Sequence, residues 1–345
     1  MEESKSYEPL QAPYEDESKT YIKSFLISCS SEIRSFFLKY GFVVVSDVLT
    51  TEECLQSIVE VYQDLKDNSF GKFDPTLENY DKVDQFVKRF GLVGGGHAVI
   101  LPQSVHNRQN ENIYKAYKFA TGNDFFLSAF ERYGFMVPTK KAPEIETIKN
   151  WLHIDYNPLT GKTSTFGYLP SELHNKLNHK NPLVWQNAYF QGIVALDDCP
   201  MEVGGFHCVP GFHVFCEEWK NQNENHCLNS ARGHDPTTVQ IPKDDEVRKF
   251  IQKMPIRKGS ILIWDGRMAH GNFPNSSDKP RLLQYIKYNA VGQNISSNVC
   301  SLMTSSEEEL EVLKKIGITE LGKKLFGLEK WFPEQVIKEN NVGDN

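Results

Sequence analysis

Two hydrophobic periods divide the chain. Up to about residue 150 the apolar positions recur mostly at helical spacing. In "TTEECLQSIVEVYQDLK" Leu55, Ile58, Val59 and Tyr62 fall on one face, and Thr50 with Glu53 carries a capping-box signature. A helix is predicted over 31–39 before it, and the β-branched run "GFVVVSDV" reads as a strand between the two. Residues 67–96, rich in Asp, Asn, Gly and Lys and ending in "GLVGGGH", read as irregular, and "QNENIYKAYKFATGN" reads as a further helix. From Trp151 onward the pattern changes to short, β-rich runs bounded by Gly, Pro, Asn and Asp. These are "NAYFQGIVALDD" (187–198), "GGFHCVPG" (204–211), "KGSILIWDG" (258–266), "MAHGNF" (268–273) and "RLLQYIKYNA" (281–290). Such spacing predicts an antiparallel sandwich or barrel, mainly β with flanking helices. The polar, His/Asn/Asp-rich stretch between Phe215 and Phe250 predicts a long loop over one mouth, with 216–246 as a lid. "TSSEEELEVLKKIGITELGKKLFGLEKW" predicts a helical C-terminal cap opened by a serine. The expected organisation is a flexible tail over 1–20 and a single domain over 21–345, with its β core at about 151–290.

Composition narrows the function classes. The 345 residues are 39% apolar and carry a formal net charge of −7, an ordinary globular balance without the basic stripe that nucleic-acid binding needs. Seven cysteines, an odd number with no C-x-x-C pair, predict reduced thiols. The opening "MEESKSYEPLQAPYEDESKT" is acidic and resembles neither a secretory nor a transit segment, and "ENNVGDN" carries no retention signal. No apolar run approaches a membrane span. The expectation is a cytoplasmic protein with a small-molecule substrate and with neither nucleic acid nor membrane as partner; oligomeric state leaves no trace in the sequence.

The candidate chemistry begins in "WLHIDYNPLTG", where His153 and Asp155 stand two residues apart. On an extended chain such residues point to one side and can reach one ion. A third donor, His270 in "WDGRMAHGNFPN", follows a buried-looking strand. Two histidines and a carboxylate form the facial triad of non-haem Fe(II) oxygenases, which leaves three coordination positions open. Zinc is the rival ion, with usually one open position in catalytic sites. Arg281 opens the next strand, eleven residues after His270. A guanidinium there suits a dicarboxylate, bound through two parallel charge-assisted hydrogen bonds at its far end.

His153-x-Asp155, "GGFHCVPGFH" (204–213), "KGSILIWDGRMAHGN" (258–272), Asn275 and Arg281 form an ordered set. Together with "KYGFVVVSDVLTTEEC", this set resembles the phytanoyl-CoA dioxygenase family of Fe(II)/2-oxoglutarate oxygenases over roughly 35–290. The resemblance implies a double-stranded β-helix (jelly-roll) core, Fe(II) on His153, Asp155 and His270, 2-oxoglutarate anchored by Arg281, and O2 as oxidant. It further implies oxidation of a small organic molecule, by hydroxylation, desaturation or ring closure, with release of succinate and CO2. Asp155 stands where halogenating members have Gly or Ala, which argues against halogenation. Ile154 replaces the family's frequent Gln, and Asn272 replaces a Ser while keeping a group that can hydrogen-bond a carboxylate. His213 and His207 read as structural. On "AYFQGIVAL" Tyr189, Gln191 and Ile193 share a face, which makes Gln191 a candidate to touch 2-oxoglutarate, and Trp151 shares parity with His153 as a pocket wall. Two rivals remain: a zinc or cupin-type enzyme that ignores 2-oxoglutarate, and a catalytically silent binding protein of the same fold.

Overall fold

The architecture is that of a computed structural model, which describes residues 7–331 apart from 9, 70, 94–99, 150, 156, 160–188, 234–237, 291–306 and 330. The glycine triplet 94–96, Tyr156, Cys300, the serine cap at 305–306 and the Tyr189 side chain therefore lie outside the described residues.

Twelve strands build the core: β1 (Ser24–Phe25), β2 (Phe42–Val45), β3 (Phe126–Ala129), β4 (Tyr133–Met136), β5 (His153–Ile154), β6 (Tyr189–Ala195), β7 (Gly205–Cys208), β8 (Val239–Gln240), β9 (Gln252–Lys253), β10 (Ile261–Asp265), β11 (His270–Phe273) and β12 (Arg281–Ala290). They form two sheets. The larger has seven strands in the order β1-β2-β10-β6-β12-β3, with β4 also on β12; the smaller has five in the order β8-β5-β11-β7-β9. All pairs are antiparallel except β1 with β2. The sheets face each other across an aromatic contact between Phe206 on β7 and Trp264 on β10, ring centroids 4.6 Å apart. The expected jelly-roll core with flanking helices is what the chain forms.

Alternation along β12 shows why these residues make a central strand. Ile286 and Tyr288 turn outward, where Tyr117 donates to the Ile286 carbonyl at 2.5 Å and stacks on Tyr288 at 4.4 Å. Gln284 turns the same way and accepts from Asn107 at 2.7 Å. Tyr285 and Lys287, of opposite parity, face the space between the sheets. The outer face is covered by α1 (Ser30–Tyr40), α2 (Thr51–Asn68), α4 (Pro102–Arg108) and α5 (Glu111–Thr121), while α3 (Gln85–Phe90) packs against β4 and brings Phe90 to the space between the sheets. The capping box read at Thr50 is formed: its hydroxyl accepts from the Glu53 N–H at 3.2 Å, and the Glu53 carboxylate accepts from the Thr50 N–H at 2.7 Å. Gly192 on β6 lets α5 close in, since a Cβ there would stand 2.3 Å from the Tyr117 hydroxyl.

Two stretches differ from the sequence reading. The polar segment taken for a loop and lid is largely helical, forming α6 (Phe212–Gln222) and α7 (Glu224–Ala231), with 234–237 outside the described residues. Its polar composition hides a helical stripe, because Phe212, Cys216, Trp219 and Cys227 are all buried. The Trp219 indole N–H donates to Asp245 at 2.8 Å and ties the helix down. The N-terminal segment is docked at Ala12, whose N–H and C=O both bond the Gln252 side chain, at 2.9 and 2.8 Å. At the other end α8 (Glu307–Ile316) and α9 (Glu320–Leu325) supply the expected helical cap.

Candidate metal centre and its cavity

His153 and His270 come to lie side by side because β5 and β11 pair with these two residues directly opposite. Asp155 follows one residue past the end of β5 on the same side. One donor atom from each of the three residues falls within 4.8 Å of the others, the only such cluster of metal-binding side chains among the described residues. The His153 and His270 rings are 4.5 Å apart, and Trp151 stacks on His153 at 4.4 Å.

Each histidine is turned by its own backbone. His153 Nδ1 lies 3.1 Å from the Trp151 carbonyl and His270 Nδ1 lies 2.9 Å from the Met268 carbonyl. A carbonyl can only accept, so each Nδ1 carries the proton and each Nε2 presents its lone pair to the cluster centre in the neutral ring. There the Nε2 atoms meet Asp155 oxygens at 3.3 Å (His153) and 3.6 Å (His270). Burial first, and the nearby His153 second, push the His270 imidazole below its usual value. Burial works to raise the Asp155 carboxyl, yet the two histidines outweigh it and hold the group well below the usual carboxylate range. With both Nδ1–H groups engaged by backbone carbonyls, the two Nε2 atoms and the Asp155 oxygens converge on one point. Two imidazole nitrogens and a carboxylate oxygen gathered in this way are a donor set that fits a metal ion.

The remaining candidates arrange themselves around this cluster. Gln191 reaches across from the larger sheet and donates Nε2–H to Asp155 Oδ2 at 3.1 Å, so it touches the clustered carboxylate itself. Arg281 is buried at the start of β12 and donates from Nη1 to Asn272 Oδ1 at 3.2 Å. Asn272 lies two residues beyond His270 on β11, which brings the guanidinium alongside the cluster. No carboxylate pairs with Arg281 among the described residues, and its Nε–H finds no acceptor there. A buried guanidinium in that condition suits an incoming anion. His207, on the opposite side of β7, is not a ligand. Both its ring nitrogens lack partners among the described residues, and burial, then the two cluster histidines, press it down to about 3. His213 packs under α1 with Nε2 3.1 Å from the Leu38 carbonyl, in keeping with the structural reading.

The cluster opens into a cavity of about 250 Å³ between the sheets. Trp151, Ile193, Phe206 and Trp264 give it apolar walls, and Asn272 lines it while Arg281 stands behind. Phe90, Leu92, Glu131, Arg132, Tyr285 and Lys287 line it as well, and sequence reasoning missed all six. For Tyr285 and Lys287 a signal existed, since both share strand parity with Arg281. Phe90, Leu92, Glu131 and Arg132 arrive from the N-terminal half, where nothing in the local pattern points to a site.

With this geometry in view, comparison with known proteins is informative. The family model for phytanoyl-CoA dioxygenase matches residues 169–283, a span that includes Gln191, His270, Asn272 and Arg281 and begins after the His153–Asp155 pair. A Dictyostelium discoideum protein described as "Putative phytanoyl-CoA dioxygenase" is 26% identical over 85% of this chain and 86% of its own length. The "Phytanoyl-CoA dioxygenase domain-containing protein 1 homolog" of Caenorhabditis briggsae is 22% identical over 73% of this chain and 88% of its own. Among solved structures, the GlcNAc Inducible Gene 2 protein of Candida albicans shares the fold with a TM-score of 0.53 at 12% identity, covering 91% of this chain and 81% of that one. Sequence motifs, family model and curated relatives agree, and the resemblance to the phytanoyl-CoA dioxygenase family is borne out.

Proposed function

We propose that the protein is an Fe(II)- and 2-oxoglutarate-dependent dioxygenase acting on a small organic molecule, with His153, Asp155 and His270 as iron ligands. The observation that carries this reading is the convergence of three donors with fixed tautomers at the wall of a cavity. An iron held by these two nitrogens and one carboxylate would keep coordination positions open for the cosubstrate and oxygen. When bound, iron with 2-oxoglutarate and O2 supplies the oxidation of a C–H bond, coupled to decarboxylation of the cosubstrate to succinate. The chain supplies placement. Arg281 binds the far carboxylate of 2-oxoglutarate, with Asn272 passing from the guanidinium to that carboxylate as a hydrogen-bond partner. Gln191 holds Asp155 in one orientation. Trp151, Phe206, Trp264 and Ile193 exclude water from the reacting region. Hydroxylation is the reaction we assign, with desaturation and ring closure as variants on the same machinery.

The test is succinate formation by purified protein given 2-oxoglutarate, Fe(II) and oxygen without any added substrate. Slow turnover that needs all three and vanishes in Asp155→Ala supports the reading. Metal binding without 2-oxoglutarate consumption points instead to a zinc enzyme or a silent binding protein.

A further inference from the structure

Asn272 stands between two polar groups of the larger sheet, and only one of them has a task in the reaction just proposed. That one is Arg281, whose Nη1 donates to Asn272 Oδ1 at 3.2 Å. The other is Tyr285, four residues further along β12, which lines the cavity together with Asn272. Alternate residues of a strand share a face, so Arg281 and Tyr285 project to the same side of the sheet. Strand register fixes the level of the ring, because Tyr285 stands directly opposite Ile193, a cavity wall, on the β6–β12 ladder.

A guanidinium can only donate, and this orients the Asn272 amide. Its oxygen meets Arg281, and its two N–H groups are left for other partners. Tyr285 is one of them. Burial pushes the Tyr285 phenol up, while the Arg281 guanidinium and a hydrogen bond from Asn272 act against that rise. A bond that holds a phenol down is one donated to its oxygen. The hydroxyl therefore accepts from the amide and keeps its own O–H for a ligand in the cavity. A phenylalanine would form the same wall, so packing does not account for the hydroxyl. The Arg281 Nε–H also finds no acceptor among the described residues. Two donors thus flank Asn272, which lies two positions from His270 on the cavity face of β11.

We propose that Tyr285 is the second donor to the far carboxylate of 2-oxoglutarate, and that it helps select this cosubstrate over 2-oxo acids lacking that group. Arg281 supplies the charge, and Tyr285 adds a neutral hydrogen bond from the other side of Asn272. The second N–H of Asn272 remains for the same carboxylate. The proposal deepens the oxygenase reading and rests on it for the identity of the cosubstrate.

The test uses the full chain loaded with Mn(II), so that no turnover occurs, and measures binding by calorimetry. Two probes share the chelating end: 2-oxoglutarate, and 2-oxovalerate, in which a methyl group replaces the far carboxylate. Tyr285→Phe keeps the ring and removes only the hydroxyl. It is expected to weaken 2-oxoglutarate binding roughly tenfold, with 2-oxovalerate within about twofold and Mn(II) affinity unchanged. A purely structural tyrosine would move both 2-oxo acids alike. Unchanged 2-oxoglutarate affinity, or equal loss of both probes, overturns the assignment. In that event wild type still binds 2-oxoglutarate well ahead of 2-oxovalerate. Should the oxygenase reading itself be wrong, wild type takes up Mn(II) and binds neither 2-oxo acid, and both readings fall.

Discussion

Gln191 and Asp155 form a bridge between the two sheets: the amide on β6 donates to the carboxylate beyond β5 at 3.1 Å. Among the described residues, Asp155 is held by a side-chain amide from the other sheet, whereas the two histidines are turned by carbonyls two residues before them. Outer partners of this kind typically contribute tenfold to a hundredfold in metal affinity. Gln191→Leu is expected to weaken Fe(II) or Mn(II) binding by about that factor while leaving the fold intact. Unchanged affinity in a metal titration would show that the bridge is idle.

Arg281 makes a separable prediction. Two charge-assisted bonds to a carboxylate, at roughly 1.5–3 kcal/mol each, correspond to two orders of magnitude or more in affinity. Arg281→Ala should weaken 2-oxoglutarate binding on that scale in calorimetry, with metal affinity held within a few-fold. Equal loss of both would mean that the arginine serves the fold.

The buried histidines set a direction for acid sensitivity. His207 is pressed down to about 3, chiefly by burial, and His213 is lowered for the same leading reason. The unfolded chain takes up these protons near pH 6.5 while the native chain refuses them, so stability falls as pH drops from about 6.5 toward 3. One such histidine contributes up to about 1.4 kcal/mol per pH unit. Urea unfolding of His207→Phe between pH 6.5 and 5 should show a shallower decline than wild type. Parallel declines would remove His207 from the account.

Gly271 tests the seam that joins the strands of the two clustered histidines. A Cβ there would stand 2.3 Å from the Trp151 carbonyl and 2.8 Å from His207 Nε2, and the first of these is backbone that cannot rotate away. Gly271→Ala is expected to cost roughly 1–3 kcal/mol and to weaken metal binding by spreading β11 from β5. A variant with wild-type stability and metal affinity contradicts this packing.

Much of this site could be read before any coordinates, for a physical reason. His153, Asp155 and His270 obey strand parity, and Arg281 opens a strand, so a period of two places them without knowledge of the rest. Asn272 and Gln191 follow from the same parity, although the partner that Gln191 chooses depends on how the two sheets meet. Glu131, Arg132, Phe90 and Leu92 reach the cavity by long-range folding and leave no local mark. The α6–α7 stretch was misjudged from its polarity because its apolar stripe is thin, with Phe212, Cys216 and Trp219 spaced for a helix among Asn, Glu and Lys.

The two sheets also divide the labour of the cavity. The strands β5 and β11, which carry the clustered histidines, belong to the smaller sheet, whereas Lys287, Glu131 and Arg132 belong to the larger sheet and a connection braced by Arg108. A change in the β3–β4 connection leaves the strands of the clustered histidines untouched, whereas a change on β12 reaches Gln191, which faces Lys287 across the ladder and bonds Asp155. The cavity is thus closed from two sides, the clustered histidines coming from one sheet and the groups that brace Asp155 and flank Asn272 coming from the other.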